Sequence, residues 1–336
     1  MPVRSKKICL LDYDKLSKVN SETLKLYKKY EADMAIRELS KKSIAVYYND
    51  LVNWWMYIYD YQDNRSVKEI NEDDIIEFIY FCKQNGNNTE RIKHRMASIS
   101  AFYKFLRKRK LIVENPMDYV DRPKKGQAVV KQTFLTVEQV DTMRKVLKQK
   151  IEDSKNKSLR CKHDSIMLRV YAEFSLITMA RINAIANLRW EQIDFAECVA
   201  NDVIEKLGKI VSLYFDESTK EYLIELQNFR KENRINDNGW VFYSMASQTG
   251  NHLSTTALSD MCKEIGQMIS VPTLHPHDFR HSGATLYKNA GMSLEEVSHC
   301  LHHESTEVTR KFYIKENDTE LRAKKESVSY LKGGER

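Results

Sequence analysis

The chain has 336 residues, 30% of them charged and 42% hydrophobic, and a formal net charge of +7. That length suits two hydrophobic cores. The opening "MPVRSKKICLLDYDKLSK" lacks the apolar run of a signal peptide, and the most apolar stretch, "LVNWWMYIYDY", is too short to span a bilayer. Cytoplasmic residence is therefore expected. The six cysteines stand singly, with no CxxC or comparable spacing, so neither a zinc knuckle nor a disulfide framework organises the chain.

The charge is unevenly placed. Residues 1–130 hold 25 Lys and Arg against 18 Asp and Glu, and the remainder holds 29 of each. The bias peaks in "RIKHRMASISAFYKFLRKRK" (91–110), with eight basic residues and no acidic ones. Such a face attracts polyanions, either nucleic acid or an anionic membrane, although many proteins carry one without a partner.

In chain order, four helices are expected first: "SETLKLYKKYEADMAIRELS", "KKSIAVYYNDLVNWWMYIYDY", "NEDDIIEFIYFCKQNG" and "NTERIKHRMASISAFYKFLRKR". Each places apolar residues at three- and four-residue intervals, and Asn71 with an acidic first turn marks a helix start. In the fourth helix Ile92, Met96, Ile99, Phe102, Phe105 and Leu106 share one side and leave much of the basic set facing solvent. "VENPMDYVDRPKKGQAVVKQT" follows, with two prolines, a glycine and no periodicity, as a basic linker. A second domain opens with a helix at "LTVEQVDTMRKVLKQ", then a polar surface excursion, "KIEDSKNKSLRCKHDS", and a buried helix, "IMLRVYAEFSLITMA".

The convincing β region comes next. "VANDVIEK" and "GKIVSLYFD" read as strands about a tight turn at Leu207-Gly208, and "GWVFYS" is a candidate third. Helical patterns resume at 254–269, 278–290, 293–301, 305–314 and 317–330. The fold expected is mainly α with a small antiparallel sheet. An all-helical domain (1–118) and a linker (119–133) precede a mixed α/β domain (134–336).

"LHPHDFRHSGATLYKNAGMSLEEVSHCLHHESTEVTRKFY" gathers the chemistry. One reading is a metal site from His275, His277 and His281, with Cys300, but HExxH is absent and a fourth ligand must be supplied. A second is a plain helix core with capping or exposed histidines. A third is phosphoryl transfer through a tyrosine. Attack on a phosphodiester builds negative charge on the nonbridging oxygens, which calls for fixed cations, a nucleophile and a proton donor for the leaving oxygen. Arg280, its histidines, Tyr313 and upstream Arg and Lys supply these types.

The same stretch resembles the C-terminal signature of the tyrosine recombinases, or phage-type integrases. Its His-x-x-Arg pair is His277 and Arg280, with His281 in the commonly shared next place. "NAGMSLEEVSHCL" is similar to the helix-turn-helix between the blocks, "LHH" (301–303) to Leu-Gly-His, and "TEVTRKFY" leads to the nucleophile, Tyr313. Upstream, "TMARINAIANLRWEQIDF" resembles the block of the first arginine, Arg181, and "VIEKLGKIVSLYF" the hairpin of the lysine, Lys206, with Lys209 as the fallback. The resemblance runs over about residues 15–315. Two departures stand out. Ala184 occupies a place where glutamate is common, and His302 one where glycine is usual, so that His303 takes the second histidine's role.

The resemblance implies an enzyme that cleaves and rejoins duplex DNA at specific sites through a 3′-phosphotyrosyl link at Tyr313, without metal or other cofactor. Arg181 and Arg280 would hold the nonbridging oxygens, Lys206 protonate the leaving oxygen, His277 assist the tyrosine and His303 donate to the phosphate. It implies a helical core-binding domain and a catalytic domain clamped on DNA, and four copies on two sites. The C-terminal tail would dock on a neighbouring protomer, and an accessory DNA-bending protein is a further partner it allows. Roughly 15 to 20 residues precede the first expected helix, so an arm-binding module is not expected. The basic residues assigned to DNA are Arg91, Lys93, Arg95, Lys104, Arg107, Lys108, Arg109, Lys110, Arg122, Lys124 and Lys125. The rival functions are a non-catalytic DNA-binding protein on the same scaffold and relaxation of a single duplex, as by type IB topoisomerases.

Overall fold

A computed structural model of the chain describes residues 5–124, 134–246, 252–303, 305–313 and 325, with Leu207 and 311–313 described by backbone alone. The chain folds into two compact units, Met1–Lys131 and Gln132–Arg336. Lys125 and, apart from position 325, the helix expected at 317–330 lie outside the described residues.

The first unit is helical. A single turn, α1 (Tyr13–Leu16), precedes α2 (Ser21–Ile36), α3 (Lys41–Tyr61), α4 (Glu72–Gln84) and α5 (Thr89–Lys108). Polar side chains set the starts by accepting first-turn N–H groups: Asn20, Ser40, Asn88, and Asn71 in a reciprocal capping box with Asp74. The middle of α3 is buried on nearly every side, and Trp54 and Trp55 sit among Tyr27, Tyr103 and other rings. Polar ties cross this core: the Tyr103 hydroxyl donates to Val67 O at 2.8 Å, and buried Asp50 accepts from Arg91 and from Ser98 Oγ.

The second unit begins with α6 (Val137–Ser154) and α7 (Leu159–Thr178), followed by the short α8 (Ile182–Ala186). The expected polar excursion is thus mostly helix. Its charges line the outer faces of α6 and α7, and only 155–158 connect the two. Strands β1 (Ile193–Asp194), β2 (Val199–Ile204) and β3 (Ile210–Tyr214) form an antiparallel sheet in that order, with Val203 opposite Val211 and Ile204 opposite Ile210. Residues 239–244 do not form the candidate strand and make isolated bridges only. Buried Arg230 donates to the carbonyls of Trp240 and Val241, both at 2.9 Å, in place of a neighbouring strand.

A helix absent from the sequence expectation follows the sheet, α9 (Glu217–Glu232), capped by Asp216 and buried through Leu223 and Leu226. Then come α10 (Thr255–Met268), α11 (Pro276–Asn289), α12 (Leu294–Cys300) and α13 (Thr306–Tyr313). The core of this unit is centred on α7, whose Tyr171 and Phe174 meet Phe242, Phe279 and Phe215. Helix α11 crosses the end of α7 at Gly283, where a Cβ would lie 2.3 Å from Leu176 O and 2.8 Å from Met179 Cγ. Only glycine permits that approach, and it brings Arg280, one turn earlier, beneath the end of α7. Among the described residues no helix is long and apolar enough to cross a membrane.

Candidate active site

Three chain segments of the second unit converge on one buried carboxylate, Glu205. Arg181 follows α7 after a left-handed residue, Met179 (φ 54°), which turns the chain so that Arg181 caps α8. Its guanidinium Nη1 donates to Glu205 Oε2. Arg280, from α11, is 1% exposed. Its Nη1 donates to Met179 O at 2.7 Å and lies 3.9 Å from Glu205 Oε1, and its Nη2 donates to Leu301 O. The backbone carbonyls at the end of α7 and the end of α12 thus fix the plane of this guanidinium.

Both histidines of the Leu-His-His element are present, in different roles. His303 Nε2 lies 3.3 Å from Arg280 Nη2, and its Nδ1 is 2.9 Å from Thr309 Oγ1 on α13. His302 turns the other way, with Nε2 3.2 Å from Ser212 O and Nδ1 3.6 Å from Glu205 Oε2. The latter separation suits charge pairing and is too long for a hydrogen bond. His302 has φ 53°, which explains why glycine is usual there. An L residue in that region costs about 1–2 kcal/mol.

Lys206 and Lys209 bracket the turn between β2 and β3, where Gly208 has φ 73° and closes the tight turn expected from the sequence. Lys206 is exposed and makes no hydrogen bond or ion pair with a described residue, whereas Lys209 Nζ donates to His302 O at 3.2 Å. His275 caps α11 in a reciprocal box with buried Asp278. His277 is exposed, and His281 is buried beside Phe134. Among the described residues no three or more His, Cys, Asp or Glu are grouped to hold a metal ion. Helix α13 begins three residues after His303 and carries Thr309 against it; Tyr313 lies four residues further along this helix, with its side chain outside the described residues.

Electrostatics follow from this crowding. Burial acts to raise the Glu205 pKa, but pairing with His302 and the charges of Arg181 and Arg280 outweigh it and hold the carboxyl below its ordinary range. Burial, then Arg280 and Arg181, push His303 down to about 4 despite Glu205 nearby. Desolvation by close-packed surroundings, then the charges of Arg280, His275 and Arg181, lower His277. His303 is thus neutral near pH 7.

The basic residues of the first unit divide by availability. Lys104, Lys108, Lys110, Arg122 and Lys124 are exposed. Arg107 pairs with Asp118 and Arg109 with Asp33 at 3.2 Å, both near the surface. Arg91 pairs with Asp50, and Lys93 with Glu90 at 3.2 Å. Arg95 requires correction: it is 1% exposed and donates to Asn87 Oδ1 at 2.9 Å and Ile8 O at 3.3 Å, so it is part of the core and not of a DNA-facing surface. Its place within the Ile92, Met96, Ile99 stripe of α5 is the sequence signal for that burial.

Comparison with known proteins identifies the family. The family model described as "Phage integrase family" matches residues 133–320, and "Phage integrase, N-terminal SAM-like domain" matches residues 28–110. The chain belongs to the phage integrase family. It is accordingly a tyrosine recombinase, an enzyme that breaks and rejoins DNA. Tyrosine recombinase XerC of Herpetosiphon aurantiacus is 28% identical over 287 residues, covering 84% of this chain and 87% of that protein. Two solved structures share the fold. The Tn1549 transposon integrase in complex with transposon right end DNA has a TM-score of 0.62 at 17% identity, covering 90% of this chain and 98% of that one. A lambda integrase tetramer bound to a Holliday junction has a TM-score of 0.59 at 15% identity, covering 91% and 83%.

Proposed function

We propose that the convergence of Arg181, Arg280 and His303 is the phosphate-binding centre of this recombinase and that Tyr313 is its nucleophile. The observation that carries this reading is the orientation of the two guanidinium groups. Each is held from behind by the protein, Arg181 by Glu205 and Arg280 by two backbone carbonyls and Glu205. Two guanidinium groups set side by side in this way suit the two nonbridging oxygens of a phosphodiester. Donors oriented before the substrate arrives need little reorganisation as charge grows in the pentacoordinate transition state.

The other residues take complementary parts. Arg280 Nη2 can only donate, so His303 Nε2 accepts from it at 3.3 Å and the imidazole proton sits on Nδ1, which donates to Thr309 Oγ1 at 2.9 Å. A phosphate oxygen would take the Arg280 N–H in place of Nε2, and the opposite tautomer, with Thr309 donating to Nδ1, would turn an Nε2–H toward the same oxygen. His277, neutral and accessible, accepts the Tyr313 proton as the oxygen attacks phosphorus. Lys206, exposed at the hairpin tip, protonates the departing 5′ oxygen. A 3′-phosphotyrosyl bond forms as the P–O5′ bond breaks. The 5′-hydroxyl of a partner strand then reverses the exchange without a net change in the number of phosphodiester bonds.

Both units would engage duplex DNA, the first through Lys104, Lys108, Lys110, Arg122 and Lys124, since phosphate contacts supply affinity. A tetramer on two sites is the functional assembly on this reading, as in the lambda integrase tetramer on a Holliday junction. The DNA substrate also makes the cytoplasm its place of action.

The test uses labelled, nicked duplexes from DNA flanking its own gene, with EDTA present and Tyr313→Phe beside the wild type. A protein–DNA band on a denaturing gel that the variant lacks supports the reading. Tight, salt-sensitive binding with no such band favours a non-catalytic binder. Supercoil relaxation without exchange between sites favours topoisomerase-like action.

A further inference from the structure

Glu205 exchanges no proton and makes no bond in that chemistry, yet it is the group that the site is built around. It is 5% exposed and follows the last residue of β2, one residue before Lys206. Its backbone closes the hairpin turn: the N–H donates to Lys209 O at 2.8 Å, and the carbonyl accepts from Gly208 N at 3.2 Å. Its carboxylate meets Arg181 through Oε2, and His302 Nδ1 lies 3.6 Å from the same oxygen. Oε1 is buried, accepts no hydrogen bond from a described residue and faces Arg280 Nη1 at 3.9 Å.

The two departures from the recombinase pattern bear on this place. Ala184, where glutamate is common, is fully buried on α8 and brings no charge. His302, where glycine is usual, sets its ring against Glu205 and the β3 carbonyl of Ser212. The carboxylate that meets the two arginines comes from the hairpin, and the His-for-Gly exchange gives it an additional partner.

Resting on the proposed phosphate-binding role of Arg181 and Arg280, we infer that Glu205 is a positioning residue for strand cleavage: it sets both guanidinium groups from behind and offsets their mutual repulsion. Two arginines drawn together without a counter-charge separate, and each then meets its phosphate oxygen at the wrong angle. The anion acts through the arginines, so its contribution depends on the charge that they must neutralise.

That dependence supplies the test. Glu205→Gln keeps the shape and removes the charge. Single-turnover cleavage is measured on a nicked duplex carrying the site cut by the wild type, with either a phosphodiester or a methylphosphonate at the scissile position. Methylphosphonate replaces one nonbridging oxygen by methyl, which removes one of the charges that the arginines stabilise. On the phosphodiester, E205Q should cut roughly 10²-fold more slowly than the wild type, the usual consequence of misplacing a group by an ångström. On the methylphosphonate the deficit should shrink to less than about 10-fold. Lys206→Ala, which alters the leaving group's proton donor, should keep the same deficit on both. Each deficit is compared between two substrates on one preparation, so a partly misfolded variant does not disturb the comparison. E205Q at the wild-type rate on the phosphodiester, or an equal deficit on both substrates, would overturn the inference and leave the Tyr313 reading intact. A wild type that forms no covalent complex on any duplex would overturn both.

Discussion

Gly283→Ala should weaken the catalytic unit, although glycine to alanine inside a helix ordinarily stabilises by up to about 1 kcal/mol. The added methyl would stand 2.3 Å from Leu176 O and 2.8 Å from Met179 Cγ. The first neighbour is backbone in α7 and cannot swing aside, so α11 must retreat by about 1 Å to reach ordinary van der Waals contact. Overpacking of this kind costs about 1–3 kcal/mol, and a backbone obstacle belongs at the upper end. Less the propensity gain, the net loss is about 2 kcal/mol. For a unit of this size that lowers Tm by roughly 4–8 °C. Arg280 lies three residues earlier on the same helix and donates to Met179 O, so the displacement also reaches the site. Cleavage should fall by about 10²-fold even at a temperature where the variant is fully folded. Differential scanning calorimetry of the intact chain and single-turnover cleavage measure the two effects. A Tm equal to or above the wild type would refute the close-crossing argument, and a full cleavage rate with a lowered Tm would refute its link to Arg280.

Arg280→Lys should cut cleavage by at least about 10²-fold with little change in DNA affinity, because one ammonium cannot serve Met179 O, Leu301 O and a phosphate together; rates and filter-binding affinities check it. Arg95→Ala should destabilise the first unit by about 2–4 kcal/mol and leave the salt dependence of DNA binding unchanged, since it empties a core position. The pair Lys104→Ala and Lys108→Ala should do the reverse, reducing the slope of log K against log salt by about 2 with no shift in Tm. Acid should weaken the fold before the carboxylates titrate. Unfolded chains protonate His303 near 6.5, the folded site resists until about 4, and so the unfolded state binds more protons between those values. Stability is thus complete above pH 6.5 and falls by about 1–2 kcal/mol toward pH 4, allowing for partial exposure; denaturant titrations of wild type and His303→Asn would show the difference.

The elements that the sequence made plain are those with local signals. Helix starts at Asn71, Thr136 and Ser254 carry their own caps, and the Leu207-Gly208 turn needs the positive φ that glycine supplies. The arginines and histidines of the centre stood out because their order and local context resemble those of a family. Glu205 did not, and could not by the same means. It is one acidic residue among 47, and its meaning arises only when folding brings Arg181, Arg280 and His302 around it. Arg95 and residues 239–244 failed for a related reason. A cation can be drawn into a core by Asn87 and a backbone carbonyl, and a strand-like segment can be satisfied by the guanidinium of Arg230. Both outcomes depend on distant partners, whereas α9 had apolar periodicity of its own and could have been read.

In the proposed reaction Tyr313 becomes joined to the 3′ end of the cut strand. The most direct measurement is mass spectrometry of the trapped complex after trypsin and nuclease digestion, in EDTA. Cleavage after Lys311 and Lys315 isolates a four-residue peptide, Phe312–Lys315, with Tyr313 as its one hydroxyl-bearing side chain. This peptide should carry a nucleotide through its 3′ phosphate, and the cut strand should end in a free 5′-hydroxyl. A nucleotide on any other peptide, or a cut strand with no protein attached, would contradict this reaction.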